Sequence, residues 1–133
     1  MVSTALKWID KSALLLLHGE SLAEHGGGAG LRDEGLMDSS LGRRLNLDSY
    51  GQPDAADLAA SYAVGLAKNH PFIDGNKRAT FLAVGMFLYV NGYRLKADQA
   101  QATLVMLGVA SGDVQEAEFA SWLRERIALR QLV

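Results

Sequence analysis

The sequence has no cysteine and little net charge. Without cysteine there is neither a disulfide framework nor a thiolate metal site, which fits a protein of the reducing cytoplasm. The formal net charge of -2 gives no general attraction to nucleic acid or to an anionic membrane. We therefore expect no direct DNA binding, and any anion-binding site must be local.

Long hydrophobic runs are also missing. The most apolar stretch, residues 79–90, has twelve residues, whereas a membrane-spanning helix needs about 20. Residues 1–8 lack the long apolar region of a signal peptide. We therefore expect a cytoplasmic protein without membrane contact. Because 49% of the 133 residues are apolar and 21% are charged, residues 1–133 are expected to form a single globular domain.

Strand-like alternation is not sustained in any segment, and apolar residues recur instead at helical spacing. Start signals such as Asp10 and Asp33, and the stop signal Asn91-Gly92, help to divide the chain into helices. The predicted helices are residues 10–25, 33–45, 53–70, 76–91, 98–111 and 115–130. The sequence therefore predicts an all-α fold, a compact bundle of about six helices.

The order within the bundle is suggested by composition. The fourth predicted helix, residues 76–91, is apolar on nearly all faces, so we expect it at the centre. Small residues crowd the third, which lets another helix approach closely. The third should end near Asn69-His70, because Pro71 biases His70 away from helical angles. The glycine run 26–30 follows no strand, so it is a flexible break rather than a dinucleotide-binding fingerprint.

A dense polar cluster, residues 70–78, lies directly before the fourth predicted helix. The first turn of a helix offers unpaired N–H groups and a partial positive charge, which together bind anions. Gly75 lets the backbone approach a ligand, and Asn76 adds an amide donor. Lys77 and Arg78 are disfavoured at a helix N-terminus unless an anion lies between them, and Arg78 suits two phosphate oxygens at once. The cluster predicts a phosphate site.

Two other residues of the cluster suit catalysis. Histidine changes charge near neutral pH, so His70 is a candidate general base for the proton of an attacking hydroxyl. Asp74 is expected to orient that histidine, to hold Mg²⁺ bridging the phosphates, or both; alternatively it is a simple turn residue before Gly75. Phe72 is expected to anchor the loop in the core. His18 and His25 are expected to be structural or exposed.

Residues 70–78 resemble the signature of the Fic/Doc superfamily, small helical transferases that use nucleotides. Typical Fic enzymes carry the pattern H-P-F-x-[DE]-G-N-G-R-x-x-R and transfer AMP from ATP to a protein hydroxyl. Here Lys77 stands in place of the second glycine, and Phe81 stands in place of the last arginine. Both departures match the Doc (death on curing) branch, whose pattern resembles H-x-F-x-[DN]-[AG]-N-K-R.

Other segments are also similar to Doc-type proteins, namely residues 30–36, 67–69 and 91–93. One departure is Arg44, where the family is expected to carry the proline of an Arg-Pro pair. The resemblance covers nearly the whole chain, and it implies the helical Fic/Doc fold.

The resemblance implies a toxin of a toxin–antitoxin pair, which phosphorylates elongation factor Tu on a threonine and halts translation. It implies ATP as the donor, with Mg²⁺, and a small antitoxin whose C-terminal helix lies in a groove and blocks the site. In this scheme the catalytic residues are His70, Asp74, Lys77 and Arg78, nucleotide binding adds Gly75 and Asn76, and Asp74 is the metal ligand. Without a cation at position 81, ATP is expected to bind opposite to its orientation in AMP-transferring relatives.

Two alternatives remain open at this point. One is AMP transfer to a protein hydroxyl, as in ordinary Fic enzymes. The other is a catalytically inactive module that binds partners through an apolar groove. The acidic charge balance argues against DNA contact in either case.

Overall fold

The computed structural model describes residues 6–48 and 51–130. Within them the helices are Lys11–His25 (α1), Glu34–Gly42 (α2), Arg44–Asp48 (α3), Ala55–Asn69 (α4), Asn76–Val90 (α5), Gln99–Ser111 (α6) and Glu116–Arg124 (α7), and the strands are Tyr93–Leu95 (β1) and Ile127–Leu129 (β2). The predicted all-α architecture is confirmed. None of the described helices is both long and apolar enough to cross a membrane.

Residues 1–5, 49–50 and 131–133 lie outside the described part of the chain. The expectation about a signal peptide falls largely on residues 1–5, and the expectation of a single domain covers residues 1–133. Both therefore stay predictions.

Aspartate side chains begin four of the helices. The carboxylates of Asp10, Asp33, Asp54 and Asp98 each accept a backbone N–H of the first turn, at 3.0, 2.9, 2.8 and 2.7 Å. Such a cap typically contributes about 1 kcal/mol, because it satisfies a donor that has no partner within the helix. The predicted caps Asp10 and Asp33 are confirmed.

The centre of the bundle is α4. It packs against α2, α3, α5, α6 and α7, and all but three of its fifteen residues are buried. The prediction that residues 76–91 are innermost is wrong, since α5 leaves Phe81, Tyr89 and Val90 exposed. The physical reason is that the small side chains of α4 let neighbouring helices approach it closely. At Gly65, for example, even a Cβ would lie only 3.1 Å from Ser40 Cα of α2.

The second predicted helix, residues 33–45, is divided by a turn at Arg43. The guanidinium of Arg43 donates from Nε to the carbonyl of Ser61 in α4 at 3.2 Å. It also forms an ion pair with Glu116 at the start of α7. The arginine thus joins α2, α4 and α7, and its partners are too distant in sequence to be recognised from the local pattern.

The sixth predicted helix, residues 115–130, ends early at Arg124. β2 instead pairs antiparallel with β1, with Arg94 opposite Ala128. The expectation that the chain lacks strands is therefore wrong for these two segments. Three-residue strands are too short to show a period of two, and their pairing partner lies far away in sequence.

A charge network ties α7 to the start of α4 and predicts a specific acid response. Arg124 donates to both carboxylate oxygens of Asp54, at 2.7 and 3.1 Å, and to Asp57 at 2.8 Å. The hydrogen bond from Arg124 is the main reason that the pKa of Asp54 is lowered from 3.8 to about 2. A lowered folded-state pKa contributes stability that is present above the unfolded-state pKa and is lost as the pH falls toward the folded-state pKa.

We therefore expect the free energy of unfolding to fall by about 1 kcal/mol or less between pH 4 and pH 2 because of this group, since half-exposed ion pairs are weak. Asp54→Asn keeps a good cap but has no charge to titrate, so its stability should fall less over the same range. Urea denaturation at several pH values measures this difference. Equal slopes for the two proteins would contradict the assignment.

Candidate active site

The candidate site begins where α4 ends, at His70. His70 is the C-cap of α4 and adopts φ 48° and ψ 57°, the only positive φ of a non-glycine residue in the described part of the chain. The predicted end of this helix is confirmed, although the backbone is left-handed rather than extended. Left-handed geometry costs about 1–2 kcal/mol for such a residue. Arg32 stabilises it by donating to the carbonyls of His70 and Asn69, each at 2.8 Å.

Residues 30–33, called the strap here, hold the loop that follows His70. The N–H groups of Arg32 and Asp33 donate to the Pro71 carbonyl at 2.7 and 3.1 Å, and Ile73 N–H donates to Gly30 at 3.1 Å. These contacts give a segment that the resemblance marked, residues 30–36, a clear structural role. They fix the backbone of the loop that carries the site.

Phe72 and Asn76 fix the same loop from the inside. Phe72 is 1% exposed, so its predicted role as a core anchor is confirmed. The Asn76 side chain accepts the Phe72 N–H at 2.9 Å and donates to the Phe72 carbonyl at 3.0 Å. The amide that the sequence assigned to a ligand therefore holds the loop instead. What position 76 can offer a ligand is its backbone N–H in the first turn of α5.

Gly75 is the N-cap of α5, with φ 74° and no side-chain cap. Its N–H donates to Asp74 Oδ1 at 2.7 Å. A Cβ on Gly75 would lie 3.2 Å from Nε2 of His18. Glycine is therefore explained here by the positive φ and by a close internal contact, rather than by the open approach to a ligand that the sequence suggested.

Asp74 lies beside Gly27 of the glycine run. A Cβ on Gly27 would lie only 2.8 Å from Asp74 Oδ2, so the missing side chain leaves room for the carboxylate. No hydrogen bond joins Asp74 to His70 within the described residues. Asp74 Oδ1 instead accepts the Gly75 N–H at 2.7 Å, as a turn residue would, and Asp74 also lines the cavity. Its expected contact with a metal or ligand stays a prediction.

One cavity brings the predicted site residues together. It has a volume of about 410 Å³ and is lined by Gly26, His70, Ile73, Asp74, Gly75, Asn76, Lys77 and Arg78. His70, Lys77 and Arg78 are exposed. Neither of the two cations forms an ion pair with another described residue. Two cations without ion pairs, at a helix N-terminus that lacks a side-chain cap, are the arrangement expected of an anion-binding site, and the cavity is called the anion site here.

The cavity suits a magnesium ion that arrives with phosphates. The described residues contain no cluster of three or more acidic, histidine or cysteine side chains that could hold a metal alone. Mg²⁺ is typically bound through one or two carboxylates together with substrate phosphates and water. Asp74 supplies one carboxylate at the cavity wall. One carboxylate fits binding of Mg²⁺ together with phosphates, but it does not fit a site made of protein ligands alone.

Two neighbouring cavities extend from the site along α5 and α6. The first has about 310 Å³ and shares Lys77 and Arg78 with the anion site, and its wall includes Phe81. The second has about 600 Å³ and runs from His70 and Lys77 along α6. Leu104 and Leu107 of α6 are 69% and 41% exposed. A groove with apolar walls therefore adjoins the anion site.

The expectation that His18 is structural or exposed is confirmed in its structural form, since the side chain is 3% exposed. Nothing in the sequence indicated the contacts that this side chain makes with the loop that carries the site. Its Nε2 lies 2.8 Å from the Asp74 carbonyl, and its ring stacks on Phe72 at 3.7 Å between centroids. No local pattern in α1 marks this residue, because its partners lie in the loop before α5.

The helical bundle, with a histidine that ends its central helix and a glycine-capped helix start that carries two cations, defines the class of protein. The chain matches the model of the Fic/DOC family over residues 8–88 and belongs to that family. It is 28% identical to protein kinase doc of Escherichia phage P1 over 120 aligned residues. The alignment covers 90% of this chain and 94% of the phage protein. It is 40% identical to toxin Doc of Mycolicibacterium smegmatis over 77 aligned residues, and this alignment covers 55% of this chain and 58% of that toxin. Both relatives belong to the Doc branch, as the residues at positions 77 and 81 predicted.

Proposed function

We propose that this protein is a Doc-type toxin that transfers the γ-phosphate of ATP to a threonine hydroxyl of elongation factor Tu. The observation that carries the proposal is the single cavity in which His70, Asp74, Lys77 and Arg78 surround the uncapped start of α5. The name of the phage P1 relative, a protein kinase aligned over 90% of this chain, supports phosphate transfer. The name of the second relative supports a toxin.

The start of α5 binds the phosphates of the donor. Backbone N–H groups of its first turn and the partial positive charge of the helix attract the anion. Arg78 provides two parallel donors to phosphate oxygens, and Lys77 provides a compact charge. Phosphoryl transfer depends mainly on positioning and on neutralising charge, and these residues supply both.

His70 acts on the acceptor. Its imidazole takes the proton of the threonine hydroxyl as the hydroxyl oxygen bonds to the γ-phosphorus. The bond between that phosphorus and the oxygen bridging to the β-phosphate breaks, and ADP leaves. Asp74 is the residue that would hold Mg²⁺, which neutralises charge on the phosphates when it is bound.

Position 81 supports γ- rather than α-phosphate transfer. Phe81 is 38% exposed and uncharged, whereas AMP-transferring relatives are expected to have an arginine there. Compared with those relatives, the site therefore has one cation fewer to bind the end of the triphosphate that lies away from His70. We propose that ATP consequently binds with its γ-phosphate, not its α-phosphate, beside His70.

The proposal includes a partner and a place of action. A small antitoxin binds with its C-terminal helix in the groove along α5 and α6, where exposed Leu104 and Leu107 provide apolar contacts next to Lys77. Helices with an apolar face commonly bind in such grooves. The toxin acts in the cytoplasm, where its target and ATP occur, without contacting DNA or membrane.

The test uses ATP labelled on either the α- or the γ-phosphate, mixed with elongation factor Tu and Mg²⁺. Label transferred from the γ position only is the expected result, and omitting Mg²⁺ should abolish it. Label from the α position would indicate AMP transfer and overturn the proposed reaction. Absence of transfer from both, with growth unaffected by expression, would leave the inactive partner-binding module.

A further inference from the structure

His18 acts on the candidate site from outside the cavity. It belongs to α1, is 3% exposed, and is absent from the residues that line the anion-binding cavity. Its Nε2 and the Asp74 carbonyl oxygen are 2.8 Å apart. Because a carbonyl only accepts hydrogen bonds, Nε2 must carry the hydrogen. The histidine thus donates to the main chain of the loop rather than to a ligand.

This hydrogen bond determines how the Asp74–Gly75 peptide group faces. The carbonyl and the following N–H of a trans peptide point in opposite directions, and the described residues contain no cis peptide. With the Asp74 carbonyl directed at buried His18, the Gly75 N–H points the other way. That N–H donates to Asp74 Oδ1 at 2.7 Å and so fixes the carboxylate at the cavity wall.

The same orientation also favours anion binding. A carbonyl oxygen carries partial negative charge, and the hydrogen bond to His18, which does not line the cavity, keeps that of Asp74 directed away from the cavity. The stacking of His18 on Phe72 at 3.7 Å, with 21° between the ring planes, holds the imidazole in place. Its contact with Gly75 would be tight for any side chain there, since a Cβ would lie 3.2 Å from Nε2 of His18. Packing alone needs only an apolar group, whereas directing the carbonyl needs the N–H.

We infer that His18 is a positioning residue of the phosphate-transfer site: it orients the Asp74–Gly75 peptide and thereby the Asp74 carboxylate toward the cavity. The kinetic consequence rests on the proposed function, but the orientation itself does not. The histidine contacts neither the nucleotide nor the acceptor, so its effect passes through Asp74.

The matched variants are His18→Gln and His18→Met. Both side chains have similar length, and only glutamine carries an N–H donor near the position of Nε2. At a temperature well below unfolding, we expect His18→Met to lower kcat at least tenfold and to raise the Mg²⁺ concentration needed for half-maximal rate. We expect kcat of His18→Gln to stay within threefold of wild type.

Leu14→Ala is the control for a merely structural role. Leu14 lies one turn earlier in α1, is fully buried, and lines none of the cavities at the site. This variant should lower the Tm but leave kcat and the Mg²⁺ dependence unchanged. A kcat that falls in parallel with the Tm across all three variants would overturn the inference. If His18→Met does not fold, His18→Gln decides, because a tenfold loss in that variant also overturns it.

A measurement independent of transfer separates this inference from the proposed function. The amide proton of Gly75 in a ¹H–¹⁵N spectrum reports its hydrogen bond to Asp74. We expect His18→Met to shift this resonance strongly and His18→Gln to shift it much less. If wild type transfers no phosphate, the proposed function fails while the shift still tests the orientation. An unmoved Gly75 resonance in His18→Met refutes the inference whether or not the protein is a kinase.

Discussion

Replacing His70 with alanine is expected to lower the rate of phosphate transfer by about 10²- to 10⁴-fold, the usual contribution of a general base. The imidazole is exposed, lines the cavity and makes no hydrogen bond with other described residues. The contacts that stabilise this position use its main chain, since Arg32 donates to the His70 carbonyl. The variant should therefore stay folded. Single-turnover transfer from γ-labelled ATP and thermal unfolding by circular dichroism measure the two effects.

His25→Ala provides a matched histidine control. His25 is exposed, and its Nδ1 lies 3.1 Å from the carbonyl of Ser21 within the same helix. It lines none of the cavities at the site, so this variant should keep the wild-type rate. His70→Asn is a second test, because asparagine adopts left-handed geometry readily but is no base. His70→Asn should therefore stay folded and lose the rate as His70→Ala does. A His70→Ala protein that keeps its rate would show that the histidine is not the base, and if His70→Ala unfolds, a His70→Asn protein that keeps its rate would show the same.

Replacing Arg78 with alanine is expected to weaken ATP binding about tenfold to a hundredfold, because a hydrogen bond to a charged group contributes about 1.5–3 kcal/mol. Arg78 lines both the anion site and the adjoining cavity and has no ion pair with another described residue. A cation near a helix N-terminus is unfavourable while no anion is bound. The same change should therefore leave the free protein slightly more stable, by about 0.3–1 kcal/mol. Calorimetric titration with ATP and urea denaturation measure these opposite effects.

Two controls separate charge from geometry at Arg78. Arg78→Lys keeps the charge but loses the planar pair of donors, so its affinity for ATP should lie between those of wild type and the alanine variant. Arg94→Ala removes an exposed arginine of β1 that lines none of the cavities at the site, and it should bind ATP normally. An unchanged affinity of Arg78→Ala for ATP would show that other residues bind the phosphates.

The residues of the candidate site could be predicted from sequence because they are concentrated in one short segment. Residues 70–78 contain the histidine, the carboxylate and both cations, and the helix start that orders them is encoded in the same stretch. The structure accordingly brings all the predicted residues to one cavity. Asn76 shows the limit of such reasoning, since a side chain able to bind a phosphate binds the Phe72 backbone instead.

By itself the sequence determined the features that depend on neighbours within a turn or two: the caps at Asp10 and Asp33, the end of α4 before Pro71, and the polar make-up of the site. The tertiary structure alone decided that α4 is central, that β1 and β2 pair, and that Arg32 and His18 hold the loop. His18 and Asp74 are 56 positions apart. Contacts of that kind leave no periodic trace in either segment, because they form only when packing brings distant stretches of the chain together.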